Sequence, residues 1–314
     1  MRTCMTKNKA LERALSALFG MIGAALLAAV PQTALAQEPG WQLDPDGRIE
    51  LGAVSAESTT RDEQLVIDGD AFTVRAQIGL DLEDDDTRFR IEADRIEVIR
   101  PEEGRSNSQR DRFTVLVQQE LDDKWELELR GRHYDDYVTA ESSDTDEYQV
   151  SAAVTYEPTR EHRFRARGTW REREYASAAG PETKGDGPRV DLQYRRRFDR
   201  YHYLTFDLRA ESITSDDPQR GYQRQSAKVA YTQPITPDLR VRPAVEFINT
   251  EFDGRLTLDG ERRNDQLIVP EIEALWWPGQ FRVEAEAKYI FSSSNEQLRE
   301  REGYRLTLSV GYVF

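Results

Sequence analysis

Cysteine is all but missing from this chain. Its single copy, Cys4, stands near the N-terminus, so everything downstream lacks the means for a disulfide or a thiolate metal site. Histidine occurs three times, and no metal constellation gathers around any copy. Glycine-rich phosphate loops and dinucleotide fingerprints are lacking, and nothing in the chain calls for a cofactor. No run of ~20 apolar residues follows Ala36, which excludes a bundle of membrane-spanning helices. A basic surplus is lacking too: the formal net charge is −15. A phosphate-binding surface should be basic, so nucleic acid is not an expected partner. With 32% charged residues and a mean hydropathy of −0.74, the chain looks too polar for a membrane. That objection does not hold for a β-barrel, in which only every second residue meets lipid.

What is present begins with an export signal. Arg2, Lys7, Lys9 and Arg13 form a positive start, an apolar stretch runs from Leu15 to Val30, and Ala34, Leu35 and Ala36 make a small-x-small site. This is the pattern of a secretory signal peptide over residues 1–36, cleaved after Ala36. A membrane anchor is the alternative. The run is short for a span, and the polar residues Gln37 to Gly40 follow it without a basic flank. No twin-arginine pair is present and no cysteine stands at the cleavage site, which argues against a lipoprotein. Cleavage removes four basic groups and one acidic group, leaving a net charge of about −18.

The rest of the chain is dominated by a period of two. Phe72, Val74, Ala76, Ile78, Leu80 and Leu82 alternate with Thr73, Arg75, Gln77, Gly79 and Asp81. The same alternation runs through residues 125–132, 148–156, 162–170, 190–198, 204–210, 281–291 and 304–314. It places one set of side chains on each face of a pleated strand, where a helix would need spacings of three and four. Strands of soluble proteins are commonly about 5–6 residues long, whereas membrane-spanning strands need about 9–11; these segments reach the greater length. Aromatic residues mark many of their ends: Trp125, Tyr148, Tyr156, Trp170, Phe198, Trp276, Trp277, Phe281, Phe291, Tyr304, Tyr312 and Phe314. Rings at strand ends fit two girdles at the headgroup levels of a bilayer.

The connections alternate as well. Short ones fall at Glu83–Thr87, Asp122–Lys124, Pro158–Glu161, Asp199–Arg200, Ile235–Asp238 and Pro278–Gly279. Longer polar ones fall near 58–70, 100–111, 135–147, 174–188, 212–221, 251–265 and 292–302. Short periplasmic turns and longer outer loops are the asymmetry of outer-membrane barrels. The expected fold is therefore all-β: a transmembrane antiparallel up-and-down β-barrel of about fourteen strands over residues 49–314, preceded by a periplasmic lead-in at 37–48. Two places fit poorly. Parity changes at Arg95 and Ile96, which suggests a bulge or an early exit into the loop. Pro243 and Pro270 fall inside strands, where proline removes a ladder donor. Twelve or sixteen strands stay open on these grounds.

The end of the chain carries a resemblance. Tyr304, Leu306, Leu308, Val310, Tyr312 and Phe314 alternate up to a terminal phenylalanine, which resembles the closing strand of Gram-negative outer-membrane β-barrel proteins. The resemblance implies residence in the cell outer membrane, contact with its lipid and lipopolysaccharide, and recognition of the last strand by the barrel-assembly machinery. It is specific over about the last ten residues, and it points to no subfamily.

The opposite parity faces the lumen. Strand seven places Arg163, Arg165, Arg167, Arg171 and Arg173 there, strand eight Asp191, Arg195 and Arg197, and strand nine Asp207, Arg209 and Glu211. Arg224, Lys228, Arg240, Arg242 and Glu246 follow on strands ten and eleven. Glu271, Glu273, Glu284 and Glu286 then stand beside Arg282 and Lys288. One wall reads as arginine-rich and another, a few strands away, as carboxylate-rich. Charge lining a pore sets its selectivity, and the guanidinium fork grips carboxylate or phosphate in a way lysine does not. The expected function is a porin-like channel for passive diffusion of small hydrophilic solutes, with anions preferred. A non-conducting barrel with a scaffolding, adhesion or export-accessory role is the rival, since charges on neighbouring strands can neutralise one another. A barrel hydrolase is third. His133 with Asp135 and Asp136 could orient a general base, with Ser142 or Ser143 as nucleophile, yet nothing in the spacing demands it. His162 and His202 sit beside short turns and read as interfacial residues. The acidic runs Asp84 to Asp86 and Glu141 to Glu147 lack the spaced loop of a calcium site. No catalytic, cofactor or metal residue is assigned, and oligomeric state is not legible.

Overall fold

The structure, a computed structural model, describes residues 41–60, 65–102, 106–136, 145–176 and 183–314. The expected signal peptide and residues 37–40 lie outside these. Fourteen strands follow one another: β1 (Gln42–Thr60), β2 (Leu65–Glu83), β3 (Thr87–Ile99), β4 (Ser108–Asp122), β5 (Trp125–Asp135), β6 (Thr145–Thr159) and β7 (His162–Tyr175). Then come β8 (Thr183–Asp199), β9 (His202–Ser215), β10 (Tyr222–Pro234), β11 (Leu239–Leu256), β12 (Arg262–Trp276), β13 (Phe281–Ser294) and β14 (Arg301–Val313). Each pairs antiparallel with its sequence neighbours, and β1 pairs with β14 to close the barrel. Fourteen is the number reached from the alternation of turns and loops. An even number brings both ends of the barrel to the side of the short turns, the periplasmic side.

Closure is local chemistry between the first strand and the last residue. Gly47 and Phe314 exchange backbone hydrogen bonds of 2.9 and 3.0 Å. A Cβ built on Gly47 would come within 2.5 Å of the Phe314 ring, so the ring lies over the space that only glycine leaves free.

Three expectations are corrected. The lead-in ends earlier than residue 48, because β1 starts at Gln42 and pairs with β2 from Gln42↔Glu83 onward. Pairing to β14 begins only at Arg48, so residues 42–46 have one neighbour, an edge position in which Pro45 is tolerated. No bulge exists at Arg95 and Ile96, since β3 keeps register with both neighbours through Val98. Instead Arg95 faces outward and pairs with Glu97 at 3.2 Å and Asp111 at 3.5 Å, beyond the apolar part of the strand. Pro243 and Pro270 do not end their strands either. The ladder skips from Ala230↔Ala244 to Gln233↔Val241 and from Ile268↔Phe291 to Glu271↔Lys288, with register unchanged. Each proline removes a donor without moving the alternation.

Burial is inverted relative to a water-soluble protein. Leu129 is 61% and Val150 69% exposed, and Leu51, Phe72, Leu208, Ile272 and Leu308 are exposed in the same way around the circumference. The buried positions include Asp94, Glu128, Glu147, Arg171, Arg173 and Glu271, which point inward. A continuous outer apolar belt of this size is stable only against lipid. Stacked rings edge the belt, with Trp125 on Tyr156 at 4.3 Å on the periplasmic side and His133 on Tyr148 at 4.4 Å on the outer side. Trp276 belongs to the belt's edge, but Trp277, one residue on, has the opposite parity and turns into the mouth.

Candidate functional site: the lumen wall

The inward rows of β5 to β8 carry more cations than carboxylates. Glu128, nearly buried, is shared by Arg165 at 2.6 Å, Arg130 at 3.0 Å and Arg167 at 3.3 Å. Arg165 also reaches Glu126 at 3.7 Å, and two carboxylates do not neutralise three guanidiniums, so a net positive field is left on this wall. Arg163 leans on the half-exposed Glu157 at 3.1 Å. Arg195 and Arg197 have no ion-pair partner among the described residues, and Arg195 lies over the Tyr203 ring at 4.9 Å. Asp191 holds Arg209 at 2.7 Å and Arg189 at 3.0 Å. A cavity of about 510 Å³ opens against this wall, lined by Arg163, Arg165, Arg167, Arg195, Arg209 and Lys228 against the carboxylates Asp191, Asp207 and Glu246.

The facing wall behaves differently. Glu271, Glu273, Glu284 and Glu286 do point inward on β12 and β13, but each has a cation. Glu271 sits between Lys228 at 2.5 Å and Lys288 at 3.2 Å, and Lys288 also holds Glu286 at 2.8 Å. Glu273 pairs with Arg242, and Glu284 with Arg282. The register sets Arg242 opposite Glu273 and Lys288 opposite Glu271 on adjacent strands. Lys228 reaches Glu271 from two strands away, and Arg282–Glu284 and Lys288–Glu286 pair along β13 itself. The carboxylate-rich wall inferred from composition is thus neutralised pair by pair. The transverse asymmetry comes from the surplus of guanidinium on β5–β8, which lies across the lumen from β12, β13, β14 and β1 in the closed order.

Toward the extracellular end the same strands pack solidly. Arg173 and Glu147 form an ion pair closed to solvent on both sides, and Arg173 donates to the Tyr222 hydroxyl at 3.2 Å. Tyr222 donates in turn to Glu211 at 3.2 Å, and Glu211 holds Arg171 at 3.0 Å. Ile213, Tyr222 and Phe252 form a buried apolar cluster, with Tyr175 fully buried. This layer was not legible from the sequence, because Tyr175, Ile213 and Phe252 fall in stretches that read as outer loops. The one signal was inward parity continuing through Arg171, Arg173 and Tyr175. A second missed feature is the ion network of the first strands, where Arg90 holds Asp46 at 2.7 Å and Glu92 at 3.2 Å and also pairs with Asp81.

Of the hydrolase candidates, His133 and Asp135 stand two residues apart on the outward face of β5. His133 stacks outward on Tyr148, while Ser142 and Ser143 lie outside the described residues. His162 Nδ1 meets the Tyr194 hydroxyl at 2.8 Å and His202 Nε2 that of Tyr231 at 2.6 Å, both in the outer face near the periplasmic turns. Asp84 caps its turn by accepting from the backbone N–H of Thr87 at 2.6 Å and of Asp86 at 3.1 Å. Among the described residues no group of three potential ligands could hold a metal ion.

No protein-family model matches the sequence, and no curated protein matches it. Solved structures do resemble it. OmpT of Vibrio cholerae, an outer-membrane protein, is 8% identical with a TM-score of 0.52, over 89% of this chain and all of that one. The outer-membrane channel DcaP of Acinetobacter baumannii is 13% identical with a TM-score of 0.51, over 89% of this chain and 99% of that one. At such identities the likeness is one of fold. The fold is that of Gram-negative outer-membrane β-barrels, and with its apolar belt and aromatic edges it locates this protein in the outer membrane.

Proposed function

We propose that the barrel is a channel for passive diffusion of small hydrophilic solutes that favours anions. The supporting observation is the guanidinium surplus on β5–β8 facing a neutralised wall across the lumen, with Arg195 and Arg197 in no ion pair among the described residues. In a confined, partly desolvated lumen such a surplus raises the local concentration of anions and lowers that of cations. A barrel of fourteen strands is wider than the ~8-strand case that side chains alone fill. The solid outer layer around Arg173 and Tyr222 favours a second reading, a barrel closed at its extracellular end whose role is not conduction. Single-channel recording of the purified protein in asymmetric salt separates the two. Steady conductance with an anion-selective reversal potential is expected. Absence of conductance sinks the channel, and cation selectivity sinks the anion preference.

A further inference from the structure

Three neighbouring periplasmic turns, residues 200–201, 235–238 and 277–280, enclose a cavity of about 590 Å³ lined by Arg200, Tyr201, Asp238, Arg240 and Trp277. It shares no residue with the arginine wall. Arg240 points inward from the start of β11 and is only 9% exposed. Its guanidinium carbon lies 3.7 Å from the centre of the Tyr201 ring and 4.6 Å from that of Trp277. Tyr201 takes a left-handed backbone, φ 60°, an uncommon conformation for a bulky residue that marks a position held by its surroundings.

The next inward cations on β11 and β13 have carboxylates: Arg242 has Glu273, and Arg282 has Glu284. Arg240 has none among the described residues, although Asp238 lines the same cavity. Its Nε is buried without an acceptor, and so is Nε1 of Trp277. Aromatic rings stabilise a guanidinium through its faces. They leave its edge free, where all five N–H donors lie in one plane. The group that suits such an edge is an oxyanion, and a carboxylate matches it with two parallel hydrogen bonds.

We infer that the periplasmic mouth carries an oxyanion site centred on Arg240, clamped between Tyr201 and Trp277, that takes the carboxylate of a small organic acid. The site does not rest on conduction, since a closed barrel would still expose it to the periplasm. Tryptophan emission of the folded protein in detergent reports it through Trp277. Titration with sodium acetate against sodium chloride at constant ionic strength is expected to give a saturable change with acetate alone. Trp277→Phe should abolish that signal, and Arg240→Gln should weaken the apparent affinity at least tenfold. Arg240→Lys keeps the charge but loses the planar fork, so it should weaken binding severalfold; it also serves if the glutamine variant fails to fold. Arg165→Gln should change the reversal potential and leave the titration untouched, so failure of this site and failure of the channel are told apart. An acetate response that does not saturate, or that persists unchanged in both Arg240 variants, overturns the site. Saturation by inorganic phosphate with no response to acetate overturns the carboxylate as its ligand.

Discussion

The residues that matter most in this protein are charges whose partners are counted one by one. Arg173 and Glu147 are shut from solvent together, so removing Glu147 takes a buried carboxylate from a buried guanidinium, at a cost of ~3–5 kcal/mol. Glu147→Leu is expected to destabilise the barrel by about that amount, and adding Arg173→Met to recover most of it. Urea unfolding followed by tryptophan emission and heat-modifiable gel migration measures both; an unchanged midpoint for the single variant would contradict the pairing. Glu128 makes the opposite case. It restrains three guanidiniums at once, so Glu128→Gln should increase the positive surplus and strengthen anion selectivity. A move of the reversal potential toward cations would refute that reading of the wall.

Among the elements, the seam between β1 and β14 depends on a glycine under an aromatic ring. Gly47→Val forces its new side chain into Phe314, an overpacking expected to cost ~1–3 kcal/mol. Pairing it with Phe314→Ala removes the clash and should restore much of the loss in the same urea experiment. The seam also shows how local sequence signals mislead. Asp44, Pro45, Asp46 and Gly47 have the composition of a turn, yet they extend along β2, because a strand with one neighbour has no ladder for Pro45 to break on its other side. At Arg95 the change of parity is a change of surroundings. Above the lipid the outer face meets water, so charge is tolerated there and apolar Ile96 turns inward without any bulge.

For the molecule as a whole the consequence is a field across the lumen. Replacing Arg165, Arg167 and Arg195 together by glutamine should move the reversal potential toward cation selectivity while leaving the fold and conductance in place. The preference should also weaken with salt, because the screening length falls from ~10 Å at 0.1 M to ~3 Å at 1 M. Reversal potentials at constant salt ratio and rising total concentration check this. Selectivity independent of salt would place its origin in steric or short-range contacts.

Much of this was legible in the sequence. The alternation from Phe72 to Leu82 and from Tyr304 to Phe314, the six short turns and the inward direction of Arg163, Arg165 and Arg167 all follow from a period of two, a property of each strand alone. The pairing of charges does not. Whether Glu271 meets Lys228 and Lys288, or whether Arg195 meets the Tyr203 ring in place of an ion-pair partner, depends on which residues of nearby strands share a level. That is set by register, and a shift of two residues would keep every side chain on its face while changing every ion pair. The outer layer of Tyr175, Ile213 and Phe252 needed in addition the knowledge of how far the strands project past the lipid. The mouth around Arg240 needed three turns, far apart in the chain, to be brought side by side. The chain by itself determined a closed barrel and which face of each strand meets lipid. Only the tertiary structure decided how much charge inside it remains unpaired, because faces are set by local alternation and partners by the register of strands distant in sequence.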